Sequence, residues 1–237
     1  MKKAAIIPFI IILCSFTALS QEKKTKIYGS FGLEMIFSFA TIDNHGYDQG
    51  NIMRWAPVIN PQSMINIDFN DYVGVFSGLA IRNVGFIYDN PLDTVYYAKY
   101  KYRTYNLGIP VGFKVGKLDK FLFFGGYEIE FPFVYKEKQF INDVKEDKDV
   151  IWFTDRVEPV QHSLLAGIQF PYGPVLKFKY YLTNFHNRDY EAVIEGGEMI
   201  KPYDFKSNIF YFSLAWNLFT NWRDYEPEMM KRDAEVR

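Results

Sequence analysis

Tyr105-Asn106-Leu107-Gly108-Ile109-Pro110-Val111-Gly112-Phe113-Lys114-Val115 is the stretch that decides the fold. Its odd-numbered residues, Tyr105, Leu107, Ile109, Val111 and Phe113, are large and apolar or aromatic. The even-numbered ones, from Thr104 through Asn106, Gly108, Pro110 and Gly112 to Lys114, are small or polar. A repeat of two is the period of a β-strand whose faces meet different surroundings.

Working outward, seven more segments carry the same period. Around 30–40, Phe31, Leu33, Met35, Phe37 and Phe39 oppose Ser30, Gly32, Glu34, Ser38 and Ala40, with Ile36 the lone large apolar residue on the second face. Ile65, Ile67 and Phe69 oppose Asn66 and Asp68 over 63–69, and Val73, Val75, Leu79 and Ile81 oppose Gly74, Gly78, Ala80 and Arg82 over 72–87. Phe121, Phe123, Tyr127, Ile129, Phe131 and Phe133 oppose Gly126, Glu128 and Glu130 over 120–135. Leu164, Ala166, Ile168 and Phe170 oppose Ser163, Gly167 and Gln169 over 161–170. Leu176, Phe178, Tyr180 and Leu182 oppose Lys177, Lys179 and Thr183 over 174–184. Over 208–219, Phe210, Phe212, Leu214, Trp216 and Leu218 oppose Tyr211, Ser213, Ala215 and Asn217.

The large apolar face is free of charge throughout. The second face holds Glu34, Asp68, Glu128 and Glu130 together with Arg82, Lys114, Lys177 and Lys179, four acids and four bases among Gly, Ala and Ser. Alternation alone leaves two orientations open, because a soluble exported barrel would turn the apolar face inward. The composition of the second face favours the other. Eight strands enclose a space just wide enough for side chains, and small residues with balanced charges fill it as paired networks, whereas unpaired buried charges are too costly. The expectation is an all-β, eight-stranded, antiparallel up-and-down transmembrane β-barrel whose interior is a salt-bridge network rather than a wide pore.

The connections alternate in length. Asn70-Asp71, Gly116–Asp119 and Pro171-Tyr172-Gly173 are short; Thr41–Gln62, Tyr88–Lys101, Lys136–Val160 and Phe185–Ser207 are long. Outer-membrane barrels sort their loops this way, short in the periplasm and long outside. Tyr28, Tyr72, Tyr102, Tyr135, Tyr172 and Trp216 stand near strand ends, where interfacial aromatic girdles lie.

Composition agrees. Of 237 residues, 23 are Phe and 18 Tyr, an aromatic load that suits such girdles. The mean hydropathy of -0.15 is too low for a helical membrane protein. A net charge of -1 gives no field for gathering nucleic acid. Lys2 and Lys3, the apolar run Ala4–Ser15 and the small residues of Ala18-Leu19-Ser20 read as a secretory signal peptide over 1–20, cleaved near Ser20. Cys14 lies within it, so no internal disulfide is available. The barrel then occupies 21–219, and the charged stretch 220–237 reads as a periplasmic tail, a helix or a disordered end. The expected location is the outer membrane of a Gram-negative bacterium.

Tyr105–Val115 resembles a strand of the PorT-like outer-membrane β-barrel family, in which tyrosine and leucine precede Ile-Pro, an aliphatic residue and lysine. Phe121–Gly126 is similar to the strand that follows in that family, an aromatic-aliphatic run ending in glycine. Where the family has a glutamate before Ile-Pro, this chain has Gly108. The resemblance spans 27–219 and implies fold and location; most members have no known function, and a few act in secretion across the outer membrane. The strand over 208–219 also resembles the C-terminal motif read by the outer-membrane assembly machinery, although here 220–237 follows it.

Chemistry is sparse. His45 and His186 fall in expected external loops and His162 at the outer rim. Glu158, His162 and Ser163 are close in sequence, as a hydrolase would need, but His162 and Ser163 fall on opposite faces of a strand. Asp43, Asp48, Asp89, Asp93, Asp147, Asp149 and Asp189 decorate the loops as solvated charge. No nucleotide, phosphate-loop or cysteine metal motif occurs. The expectation is a non-enzymatic barrel without cofactor or metal. Its partners would be outer-membrane lipid and lipopolysaccharide and the assembly machinery. The alternatives are an accessory subunit of a secretion or uptake complex, docking a partner through the tail, and a rim enzyme acting on lipid or peptide.

Overall fold

A computed structural model describes residues 25–44, 46–49, 52–90, 98–118, 120–142, 144–193 and 196–220. The expected signal peptide, the tail beyond Thr220, His45 and Asp93 lie outside the described residues. Among those described, the chain forms twelve strands and no helix: β1 (Lys26–Asn44), β2 (Tyr47–Gln49), β3 (Arg54–Asp68), β4 (Val73–Asn90), β5 (Ala98–Lys117), β6 (Phe121–Ile141), β7 (Val144–Trp152), β8 (Gln161–Gln169), β9 (Pro174–Tyr181), β10 (Ala192–Val193), β11 (Met199–Ile200) and β12 (Lys206–Thr220).

Eight of these are staves of a closed barrel. Each stave pairs antiparallel with the next, in the order β1, β3, β4, β5, β6, β8, β9, β12. β12 then returns to pair with β1 from Ser30↔Thr220 to Asp43↔Lys206. Closure leaves the wall without a free sheet edge. The short turns gather at one end. At Pro171-Tyr172-Gly173 two successive residues adopt positive φ, 68° at Tyr172 and 103° at Gly173, which the tight reversal requires.

The barrel is inside out relative to a water-soluble one. Val111, Phe113, Phe123, Leu164, Leu214 and Trp216 are each half exposed or more on the outer wall. Glu34, Arg82, Glu128, Glu130 and Lys179 are buried in the lumen. Ile36 points inward, as its parity requires.

The structure corrects several expectations at the long-loop end. The staves run beyond the alternating segments: β1 continues to Asn44 and β3 begins at Arg54, leaving little of the loop expected over Thr41–Gln62. Much of Lys136–Val160 is likewise strand, because β6 reaches Ile141 and turns back as β7, which pairs with it from Ile141↔Val144 to Val134↔Trp152. The charged run Lys145–Asp149 is therefore sheet. Tyr28, Tyr102 and Tyr135 do not face outward; Tyr102 and Tyr135 are buried and Tyr28 hydrogen-bonds Lys114 in the lumen. Tyr72, Tyr172 and Trp216 do lie exposed.

Tyr135 turns inward because of a β-bulge. Tyr105 pairs with Val134 but Asn106 pairs with Pro132, so Phe133 is an extra residue in β6. Below it the even-numbered residues Glu128 and Glu130 face the lumen; above it the odd-numbered Tyr135 and Glu137 do.

Candidate functional site

Buried charged side chains of the described residues gather in the lumen, which is built in three storeys. Nearest the short turns, Lys114 from β5 pairs with Asp68 from β3, 2.5 Å apart. Its ammonium also donates to the Tyr28 hydroxyl at 3.0 Å and to Asn66 Oδ1 at 3.1 Å. Above lies a cavity of about 70 Å³, walled by apolar residues such as Phe76, Phe124 and Leu165 and bordered by Lys114, Lys177 and Arg82.

The middle storey joins the remaining six charged residues singled out above. Arg82 from β4 is the hub. Its Nε donates to Glu128 Oε1 at 3.0 Å and its Nη2 to Glu128 Oε2 at 3.3 Å. Its Nη1 donates to Gln62 at 3.1 Å and pairs with Glu34 from β1. Lys177 Nζ lies 2.8 Å from Glu34, and Lys179 Nζ lies 2.7 Å from Glu128 and also pairs with Glu130. Tyr181 donates to Glu130 at 2.8 Å and Asn106 does so at 2.7 Å. Three acids meet three bases, so the storey is neutral and the mutual attraction offsets part of the cost of removing the ions from water.

Gly108 makes this possible. A Cβ there would lie 2.2 Å from Glu128 Oε1. The space that a side chain would fill at this position is taken by a carboxylate from the neighbouring strand.

The upper storey is aromatic, and sequence reasoning did not find it. The segment after β9 folds back into the mouth of the barrel, burying Phe185, His186, Tyr203 and Phe205 against Phe86, Tyr88, Tyr102 and Tyr135. His186 is the keystone. Its ring stacks on Tyr203, with centroids 4.3 Å apart and planes 2° off parallel, and meets Tyr102 edge-on at 4.5 Å. It was expected in an exposed loop; instead it is fully buried, and burial pushes its pKa well below the ordinary imidazole value. The packing of large rings in this core releases more apolar area from water than exposure of the loop would. Outside this plug, Glu137 accepts hydrogen bonds from Tyr135 and Tyr203, both at 2.8 Å, and borders an open cleft of about 200 Å³ with Arg156, Asp149 and Tyr190.

The other rim candidates are separated. His162 faces outward and meets the Tyr127 hydroxyl, whereas Ser163 faces the lumen and donates to the Glu128 carbonyl at 3.0 Å. Among the described residues, no group of three His, Cys, Asp or Glu side chains converges as a metal site would need.

No family model matches the chain, and no curated protein matches it. Several solved barrels are similar in shape. Ail, the attachment invasion locus protein of Yersinia pestis, aligns at 14% identity and a TM-score of 0.36 over 80% of this chain and 97% of that one. Neisserial surface protein A aligns at 8% identity and 0.36 over 83% and 100% of the two chains. The translocator domain of the autotransporter NalP from Neisseria meningitidis aligns at 8% and 0.35 over 91% and 96%. Likenesses of this order extend to no residue and no role.

Proposed function

We propose that this chain is a non-conducting transmembrane barrel of a Gram-negative outer membrane, with a structural role in the envelope and an outer end that meets other molecules. One observation carries the reading: an apolar outer wall surrounds a lumen closed twice, by the neutral ionic storey and by the aromatic plug. Water is the natural neighbour of neither surface. A lipid bilayer matches the first, and a lumen closed at two levels leaves no path for solutes. In this reading the role is non-enzymatic; His162 and Ser163 lie on opposite faces of β8 and do not act as a pair. The PorT-like resemblance of Tyr105–Val115 belongs to the same reading.

The test is twofold. Protein refolded into phosphatidylcholine vesicles should migrate differently unboiled and boiled, and should give no discrete current steps in planar bilayers. Failure to insert overturns the membrane reading; long-lived open-channel currents overturn the closed lumen.

A further inference from the structure

The outer face of β5, β6 and β7 changes character abruptly at Tyr105. Below it, Leu107, Val111, Phe113 and Val115 are exposed and apolar. The ten residue steps from Tyr105 to Val115, at about 3.4 Å each and a tilt of roughly 40°, rise about 26 Å, close to the roughly 25 Å apolar band of such barrels. Directly above, the same face carries rows of cations in register, with Val150 and Phe140 among them. Arg103 pairs across strands with Lys136, Lys101 with Lys138, and Lys138 with Lys148.

Like charges directly opposite on a sheet repel, and five such side chains gather here. Among the described residues none of them forms an ion pair. Lys101 and Lys136 instead rest over the rings of Phe140 and Tyr105, 4.6 and 4.9 Å from the centroids, and Arg103 donates to the Tyr105 hydroxyl at 3.4 Å. Slight burial, then the charges of Arg103, Lys145, Lys148 and Lys101, hold the Lys138 pKa below the ordinary lysine value. The neighbouring acids are turned away: Glu137 and Asp149 point to the other face and engage Arg156, at 3.5 and 2.9 Å. Glu146 sits in the β7 bulge, outside these rows. On the apolar side of the patch stand exposed Phe131, Trp152 and Phe153.

We propose that this wall binds a phosphorylated glycolipid of the outer leaflet. Lys101, Arg103, Lys136, Lys138 and Lys148 would hold its phosphates, and its acyl chains would lie along the apolar face below. Position argues for a lipid over a soluble anion. The cations form a band on the side of the barrel, at the height where headgroups begin, and continue downward into surface that suits hydrocarbon. Arginine adds the planar fork that phosphate accepts. The proposal rests on the membrane reading above.

The experiment uses the full barrel in phosphatidylcholine nanodiscs and titrates bisphosphorylated lipid A. The K136Q/K138Q/K148Q variant should bind more weakly by about fivefold per charge removed, roughly a hundredfold together. K117Q/K120Q, at the opposite rim, should bind as wild type does, and dephosphorylated lipid A should bind neither protein well. Equal binding by wild type and the triple variant, with the heat-modifiable band intact in both, overturns the assignment alone. Equal affinity for a soluble sugar phosphate without acyl chains overturns the lipid as occupant. A barrel that never enters the bilayer overturns the membrane reading and the lipid site with it.

Discussion

Replacing Arg82 by methionine removes the hub of the ionic storey and tests whether charge balance holds the lumen together. Wild type sets Glu34, Glu128 and Glu130 against Arg82, Lys177 and Lys179, all buried. Arg82→Met leaves three acids and two bases, a net charge of minus one buried in the lumen. Stranding one partner of a buried pair costs about 3–5 kcal/mol. Glu34 keeps Lys177 at 2.8 Å and Glu128 keeps Lys179 at 2.7 Å. The surplus charge is thus shared, and the lower end of that range, about 3 kcal/mol, is expected. The double variant Arg82→Met/Glu128→Gln restores neutrality and leaves two intact pairs, Glu34 with Lys177 and Glu130 with Lys179. It should recover most of the loss and lie within about 1 kcal/mol of wild type, because apolar or neutral replacement of a whole buried pair is often close to neutral. Urea unfolding from vesicles, read by the boiled-versus-unboiled band, gives the three free energies provided the denaturant slopes agree. A single variant as stable as wild type, or a double variant worse than the single one, would refute the reasoning.

Three further outcomes follow from the geometry. Gly108→Ala should cost about 1–3 kcal/mol in the same unfolding assay by displacing Glu128. Gly125→Ala, whose Cβ would meet nothing closer than 3.4 Å, serves as its control. His186 has a folded pKa below its ordinary value of 6.5, so a free plug segment takes up a proton more readily than a docked one. Docking is therefore fully stable above that value and weakens as pH falls from about 6.5 toward the folded pKa. Hydrogen-exchange protection over 182–193 and 196–205, taken relative to the intrinsic amide rate at each pH, should fall between pH 7.5 and pH 5 in wild type, and unchanged protection in a His186→Phe variant would confirm the origin. Phe185→Ala/Phe205→Ala should loosen the plug yet still pass no current in planar bilayers, because the ionic storey closes the lumen by itself; open-channel steps would contradict two seals in series.

The alternation made the eight staves legible, and with them the inward side of each charged residue, because parity assigns a face before any partner is known. Pairings such as Arg82 with Glu34 were beyond parity, since they depend on how far each tilted strand is shifted against the next. The extensions of β1, β3 and β6 were hidden for a physical reason. Above the apolar band the outer face turns polar while the inner face meets the aromatic plug, as at Ile42 and Ala56, or a polar cleft, as at Glu137 and Gln139, so the contrast that reveals a strand inverts or disappears. The aromatic plug left no periodic trace at all. Phe185, His186, Tyr203 and Phe205 are brought together by a chain reversal, and their ring character was the only available clue. Phe133 lies in an unbroken aromatic run, and nothing local marks it as the residue that fails to pair.

That unpaired phenylalanine behaves like an inserted letter in a two-letter reading frame. Upstream of it, β6 spells its inward words on even numbers; downstream, on odd ones. Deleting Phe133 would close the bulge and leave Asn106↔Pro132 and Tyr105↔Val134 in unbroken register, with Tyr135 and Glu137 still inward. A second residue inserted there, with the bulge taking up only one, would turn Lys136 and Lys138 into the aromatic mouth and Tyr135 and Glu137 out onto the wall. Away from such a bulge, a one-residue gain or loss in a stave flips every side chain beyond it and is a far graver edit than most substitutions. Length can change more cheaply in the connections, between the residues that anchor them in the mouth, such as Phe185 and Phe205.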